Sequence, residues 1–202
     1  MLRVGLTGNV AAGKSSVAEL FHRWGAVLVD HDVLARLAVA PGTSALAAVL
    51  ARFGRDLALP GGELDRAALR RRVMRDPKAR ADLEAIIHPE VLRQGQARED
   101  EARRHGSSIV VHDIPLLYEV LDPGGFDVVV LVDAPPVLRR ERLRHGRGLS
   151  PEDADALIAA QAPSEPKRAR ATFVIDNDAT RDALETRAQL VWRELQARAR
   201  VA

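Results

Sequence analysis

The chain of 202 residues has no cysteine, which excludes disulfides, thiolate nucleophiles and cysteine-ligated zinc. Aromatic residues make up only 3%. The core must therefore be built from Ala, Leu, Val and Ile, which argues against nucleic-acid readers that stack bases on aromatic platforms. No apolar run approaches the roughly 18 residues that a membrane span needs. Gly5, Thr7, Gly8, Asn9 and Lys14 interrupt the N-terminus before it could serve as a secretory signal. Lysine is scarce too: of 30 basic residues only Lys14, Lys78 and Lys167 are lysines, so arginine supplies 27. The net charge is only +2, a surplus too small to demand a nucleic-acid partner or a membrane surface. The expectation is a cytoplasmic enzyme or binding protein, monomeric or a small homo-oligomer. Its length suits one sizeable core with a small inserted subdomain.

Against this background one stretch stands out. "GNVAAGKSS", from Gly8 to Ser16, fits the phosphate-binding pattern G-x-x-x-x-G-K-[ST], with Gly8, Gly13, Lys14 and Ser15 in the required places. It follows the apolar run Leu2 to Leu6, read as a buried strand, and precedes Val17, Leu20, Phe21 and Trp24 at helical spacing. A strand turning into a helix aims several backbone N–H groups at one point, where the helix dipole adds partial positive charge. Lysine then reaches the outer phosphates, and the Ser15 hydroxyl ligates the magnesium that travels with a nucleotide.

The remaining strands are read at Ala26 to Asp30, Ile109 to His112, Val128 to Val132 and Phe173 to Asp176. Five such runs separated by helices predict an α/β fold with a parallel sheet covered on both faces. Between Gly61 and Gly106 no strand intervenes, which predicts a helical excursion. There Asp65 caps a helix rich in arginine (Arg66 to Arg75), Asp76-Pro77 opens another, and His88-Pro89 breaks or kinks it. Ser150-Pro151 opens a later helix, and an amphipathic helix from about Thr180 closes the chain.

Ligands of an open parallel sheet bind outside the carboxyl ends of its strands. That rule singles out Asp30-His31-Asp32 and Asp113. Asp32 either accepts a proton or holds magnesium through water, or else it caps the following helix. Asp113 either orients magnesium or ends a strand, with Pro115, Leu116 and Leu117 shaping a pocket wall. The arginines of "LRRERLRHGRG" (138–148) neutralise phosphate charge as a group or face solvent singly. His88-Pro89 is either a substrate contact or a helix break.

Taken together and in order, several segments resemble the dephospho-coenzyme A kinase family over nearly the whole chain. These are "GLTGNVAAGKSSVA", "VLVDHDVLAR", "LDRAALRRRVMRDP", "LEAIIHPEV", "HDIPLLYE", "RLRHGRGLSPEDA", "IAAQ" and "FVIDN". The resemblance implies a P-loop kinase fold: a five-stranded parallel sheet flanked by helices, with a helical acceptor-binding insertion and a lid. It implies one domain over 1–202, with the core at 1–60, 107–137 and 172–202, the insertion at about 61–106 and the lid at about 138–171. It also implies transfer of the ATP γ-phosphoryl group to the 3′-hydroxyl of dephospho-coenzyme A, with Mg2+ as cofactor.

By the same resemblance Asp32 is the base or hydroxyl-orienting residue, and Lys14 and Arg142 stabilise the transferred group. Gly8, Ala11, Ala12, Gly13, Lys14, Ser15, Ser16, Arg147 and Asn177 bind ATP, with Asn177 near the adenine. Asp32, Arg66, His88, Pro89, Asp113, Leu116, Leu117 and Glu119 handle the acceptor, and Ser15 and Asp113 hold the metal. Two positions depart from the pattern: Ala11, where glycine is frequent, and Thr172, where an aspartate is usual. The alternative is another P-loop kinase acting on a nucleoside, a nucleotide or shikimate. A GTP-binding switch would need the guanine-reading N-K-x-D, and that tetrapeptide does not occur.

Overall fold

The structure, a computed structural model, describes residues 1–74, 76–115, 117–120 and 123–201. Arg75 and Leu116, both singled out above, lie outside the described residues. The N-terminal half contains β1 (Leu2–Gly8), α1 (Lys14–Arg23), β2 (Val27–Asp30), α2 (His31–Ala38), α3 (Ser44–Phe53), α4 (Arg66–Val73) and α5 (Pro77–Arg104). The C-terminal half contains β3 (Ile109–Asp113), α6 (Leu117–Val120), β4 (Val128–Asp133), α7 (Pro136–Arg147), α8 (Pro151–Ala159), α9 (Ser164–Arg170), β5 (Phe173–Asp176) and α10 (Arg181–Ala199). Two compact units result, one from Met1–Val29 with Ala102–Ala202 and one from Asp30–Glu101.

The first unit is built on a five-stranded sheet of order β2-β3-β1-β4-β5. β1 pairs in parallel with β3 (Leu2 opposite Ile109) and with β4 (Val4 opposite Val128), and β4 pairs in parallel with β5 (Val130 opposite Phe173). Every residue of β3 and β4 is buried. Strands covered on both faces need apolar side chains at every position rather than at alternate ones, which is why these runs read as continuous. The period of two still sorts them: Val128, Val130 and Val132 join a core with α1 and α10, while Val129 joins Ile114 and Leu117 on the opposite face. The few aromatics are concentrated here. Phe21, Trp24 and Trp192 pack as a triangle with ring centroids 5.5 to 6.2 Å apart, joining α1 to α10.

The second unit is helical and has its own core, in which Leu46, Val49, Phe53, Leu57, Leu69 and Val73 pack together. Each of its helices begins on a side-chain cap. Asp30 accepts from the Asp32 and Val33 N–H groups, Thr43 from Leu46, Asp65 from Ala68, and Asp76 from Lys78 and Ala79.

Of the break or kink expected at His88-Pro89, the break does not occur: α5 runs through Pro89 to Arg104. Proline removes one hydrogen bond and crowds the carbonyl four residues back, here that of Ala85. Pro89 is exposed, so the displaced carbonyl can tilt toward water while apolar contacts of Ile86 and Ile87 hold the helix in place.

Candidate active site

The loop between β1 and α1 is held from behind at four consecutive residues. In its first half, Val10 N–H donates to Gln161 Oε1 (2.8 Å) and Val10 O accepts from Arg139 Nε (3.0 Å). Arg139 also donates to Gln161 Oε1 at 3.2 Å and is 3% exposed. That burial pushes its guanidinium below the ordinary arginine value, opposed by the charge of Asp133. Lys167 Nζ donates to Asn9 Oδ1 (2.8 Å) and to Glu119 Oε1 (2.6 Å).

In the second half, Arg142 donates to Ala11 O (3.2 Å), and Asn177 Nδ2 donates to Ala12 O (2.8 Å). Arg142 in turn holds Asn177 through its backbone oxygen at 2.9 Å.

These contacts decide which way the loop faces. The peptide unit that carries the Ala12 carbonyl also carries the Gly13 N–H, and a trans peptide points the two in opposite directions. With the carbonyl turned toward Asn177, the N–H turns away from it. α1 has no side-chain cap and no acidic residue in its first turn. Among the described residues, the N–H groups of Gly13, Lys14 and Ser15 donate to no protein acceptor. Uncompensated donors and a helix dipole converge where a phosphate would sit. Gly13 is required twice over: its φ of +100° is left-handed, and a Cβ there would lie 2.1 Å from Asn177 Nδ2. Ala11 is also left-handed, at φ +58°. Its departure from glycine therefore carries backbone strain on the order of 1–2 kcal/mol.

Lys14 Nζ forms an ion pair with Asp113 Oδ1, and both side chains are largely buried. The structure thus brings the loop lysine to the strand-end carboxylate selected from sequence. Ser15 and Ser16 lie exposed beside it. His112, next to Asp113, is kept neutral: burial, with Arg3 nearby, lowers its pKa to about 4. Leu117, expected in a pocket wall, is instead 0% exposed and packs against Val129 and Ile114. The cause is Gly5, where an added Cβ would lie 2.7 Å from Leu117 Cδ1, so the leucine tucks under β1.

Asn177 and Arg142, read as contacts to adenine and phosphate, are seen here bracing the loop. Arg147 is exposed at the end of α7, and among the described residues its side chain makes no hydrogen bond. Arg140, by contrast, pairs with Asp155 at 2.6 Å.

In the second unit Asp30, not Asp32, caps α2. Asp32 is exposed, and among the described residues its carboxylate accepts no hydrogen bond. Arg66 opens α4 and donates to Arg36 O at 3.2 Å. His88 is half-buried on α5 and Pro89 exposed.

Sequence reasoning missed Arg139, Gln161, Lys167 and the pair Asp133–Arg168. Arg168 bridges Asp133 (2.9 Å) and Asp176 (2.7 Å), and these contacts raise its already high pKa. A signal for Arg139 was present: it lies three residues before Arg142 and four before the buried Leu143, on one face of α7. Lys167 was marked only by the rarity of lysine.

The family model described as dephospho-CoA kinase matches residues 2–183. A dephospho-CoA kinase of Frankia casuarinae is 50% identical over 98% of this chain and 85% of its own length. One of Streptomyces avermitilis is 46% identical over 98% of this chain and 96% of its own. The crystal structure of TT1252 from Thermus thermophilus superposes with a TM-score of 0.82 at 37% identity, covering 96% of this chain and 97% of that one. With its phosphate cradle, its lysine–aspartate pair and a match that spans the sheet and the flanking helices, the chain belongs to the dephospho-CoA kinase family.

Proposed function

We propose that the chain transfers the γ-phosphoryl group of ATP to the 3′-hydroxyl of dephospho-coenzyme A, giving coenzyme A and ADP. The observation that carries the phosphoryl-transfer half is the loop itself: open N–H groups at an uncapped helix N-terminus, with Lys14 beside them. Family membership supports the choice of acceptor. In this reading the acceptor oxygen forms a bond to the γ-phosphorus, the bond to the β–γ bridging oxygen breaks, and ADP leaves. The proton of the hydroxyl passes to Asp32, whose exposed carboxylate is spared the capping work done by Asp30.

Lys14 and Arg142 neutralise charge on the transferred group, and Gly8, Ala11, Ala12, Gly13, Ser15, Ser16 and Arg147 hold the phosphates of ATP. Arg142 and Asn177 keep the loop open and take part in holding ATP. Arg66, His88, Pro89, Asp113 and Glu119 serve the acceptor. Phosphoryl transfer asks for little covalent chemistry, so positioning and charge supply most of the acceleration.

A hydroxyl and a carboxylate are the hard oxygen donors that magnesium prefers. Ser15 is exposed, and Asp113 pairs with the lysine next to it, so these residues fit such an ion. Bound there, Mg2+ would neutralise charge on the β- and γ-phosphates. We assign the core to 1–60, 107–137 and 172–202, the acceptor-binding insertion to about 61–106 and the lid to about 138–171. Among the described residues no helix is long and apolar enough to cross a membrane, which supports a cytoplasmic enzyme.

The test is ADP release from ATP with a panel of acceptors. Turnover is expected with dephospho-coenzyme A. Turnover with shikimate or a nucleoside monophosphate, and none with dephospho-coenzyme A, would overturn the assignment.

A further inference from the structure

Lys167 is one of three lysines in the chain, and its side chain is only 5% exposed. An ammonium this deep costs several kcal/mol in lost hydration unless partners replace the water. Its partners come from two different segments: Asn9, in the phosphate loop, and Glu119, on α6. Asn9 is further fixed because its Nδ2 donates to Ser164 Oγ (3.1 Å) and to Ala162 O (3.3 Å). One turn beyond Lys167, the Arg170 guanidinium lies over the Tyr118 ring, 4.9 Å from its centroid. α9 therefore grips α6 at two adjacent residues and the loop at one.

Asp113 ends β3 opposite Leu6 of β1, and the chain after it is tied to the first strand by Ile114 N–H donating to Leu6 O (2.9 Å) and by Thr7 Oγ1 donating to Pro115 O (3.3 Å). Lys14 adds a side-chain tether from the nucleotide loop, through its pair with Asp113. That tether is exchangeable, because Lys14 must turn to phosphate oxygens when a nucleotide arrives. The bridge through Lys167 involves no group at the open N–H donors, so it can persist while Lys14 changes partners.

We propose that Lys167 is a positioning residue for phosphoryl transfer: through Glu119 and Asn9 it locks the β3–α6 turn to the nucleotide loop. The division of labour is between two lysines. Lys14 binds and moves; Lys167 is buried and stays. Without Lys167, the Glu119 carboxylate loses its cation, and the α6 end of the turn loses its side-chain tie to the nucleotide loop, while Asp113 keeps its place at the end of β3.

The test is a double-mutant cycle of Lys167→Met and Glu119→Gln in the full chain, assayed with the acceptor that the wild type turns over in the panel above. The inference rests on the chain being a phosphotransferase, but failure of the dephospho-coenzyme A assignment leaves this comparison intact. Misplacement of a turn at the site costs about 10-fold or more in kcat for each single variant, and the double variant is expected to fall no further than the worse single. ADP affinity, measured by calorimetry, should change less than kcat in Glu119→Gln. Losses that multiply in the double variant would show two independent roles and overturn the proposal. Unchanged kcat in folded Lys167→Met, with only the melting temperature lowered, would reduce the lysine to a packing ion pair. Should Lys167→Met fail to fold, the half-exposed Glu119 still provides the test, and full kcat in Glu119→Gln overturns the proposal alone.

Discussion

Two aspartates at the head of α2 show how closely spaced groups divide their work. Asp30 has non-helical backbone angles and accepts the N–H groups of Asp32 and Val33, so the orphan donors of the helix are satisfied without Asp32. Asp32 keeps both oxygens for another task. Asp32→Asn is expected to lower turnover by at least ~10²-fold, the lower end of general-base effects, while ATP still binds and the fold keeps its stability. Near-normal turnover in that variant, measured by ADP release, would remove Asp32 from the reaction. At this scale the sequence was legible where spacing alone carries the chemistry, as at Gly8, Gly13, Lys14 and Ser15. It was not legible at Arg139, Arg142 and Asn177, because what these side chains hold depends on a loop more than 120 residues away along the chain. A local reading assigns arginine to phosphate or to solvent. The structure has Arg142 and Arg139 holding carbonyls, which aims the N–H groups indirectly.

The elements repeat that lesson with α5. Proline rules act on neighbours in sequence and predict a break or a kink at His88-Pro89, and the helix runs unbroken from Pro77 to Arg104. Its stability comes from apolar contacts such as those of Ile86 and Ile87, which a local rule does not count. Proline in a helix interior is about 3 kcal/mol less favourable than alanine, and part of that is offset because proline also stiffens the unfolded chain. Pro89→Ala is thus expected to stabilise the protein by about 1–3 kcal/mol, read as a higher urea midpoint with an unchanged slope. A lowered midpoint would mean that the proline ring itself is needed at this position. The strands were the easier elements to find. Doubly buried strands such as β3 and β4 open as continuous apolar runs, and Asp113 and Asp133, themselves buried, mark where those runs end. α2 begins earlier than its apolar pattern, at His31, because the cap lies inside the last residue of the preceding strand.

For the whole molecule, the question is whether the two units unfold together. The division between them does not fall in a linker. At one crossing it lies within β2, between Val29 and Asp30, and at the other within α5, between Glu101 and Ala102. Breaking either crossing breaks a regular element, which favours a single cooperative transition. Nucleotide binding tests this, because a ligand that binds only the native state stabilises whatever unfolds with its site. At a concentration 100-fold above its Kd, ADP should contribute about 2.7 kcal/mol, or roughly 5–10 °C in melting temperature for a chain of this size. One calorimetric transition is expected, moving upward as a whole. Two transitions, of which ADP moves only one, would show that the helical unit melts on its own. Lys14→Met supplies the control. It removes a cation that the phosphates need and leaves the second unit untouched, so most of the shift should vanish while the number of transitions stays the same. A full shift in Lys14→Met would place the nucleotide somewhere other than the loop from Gly8 to Ser16.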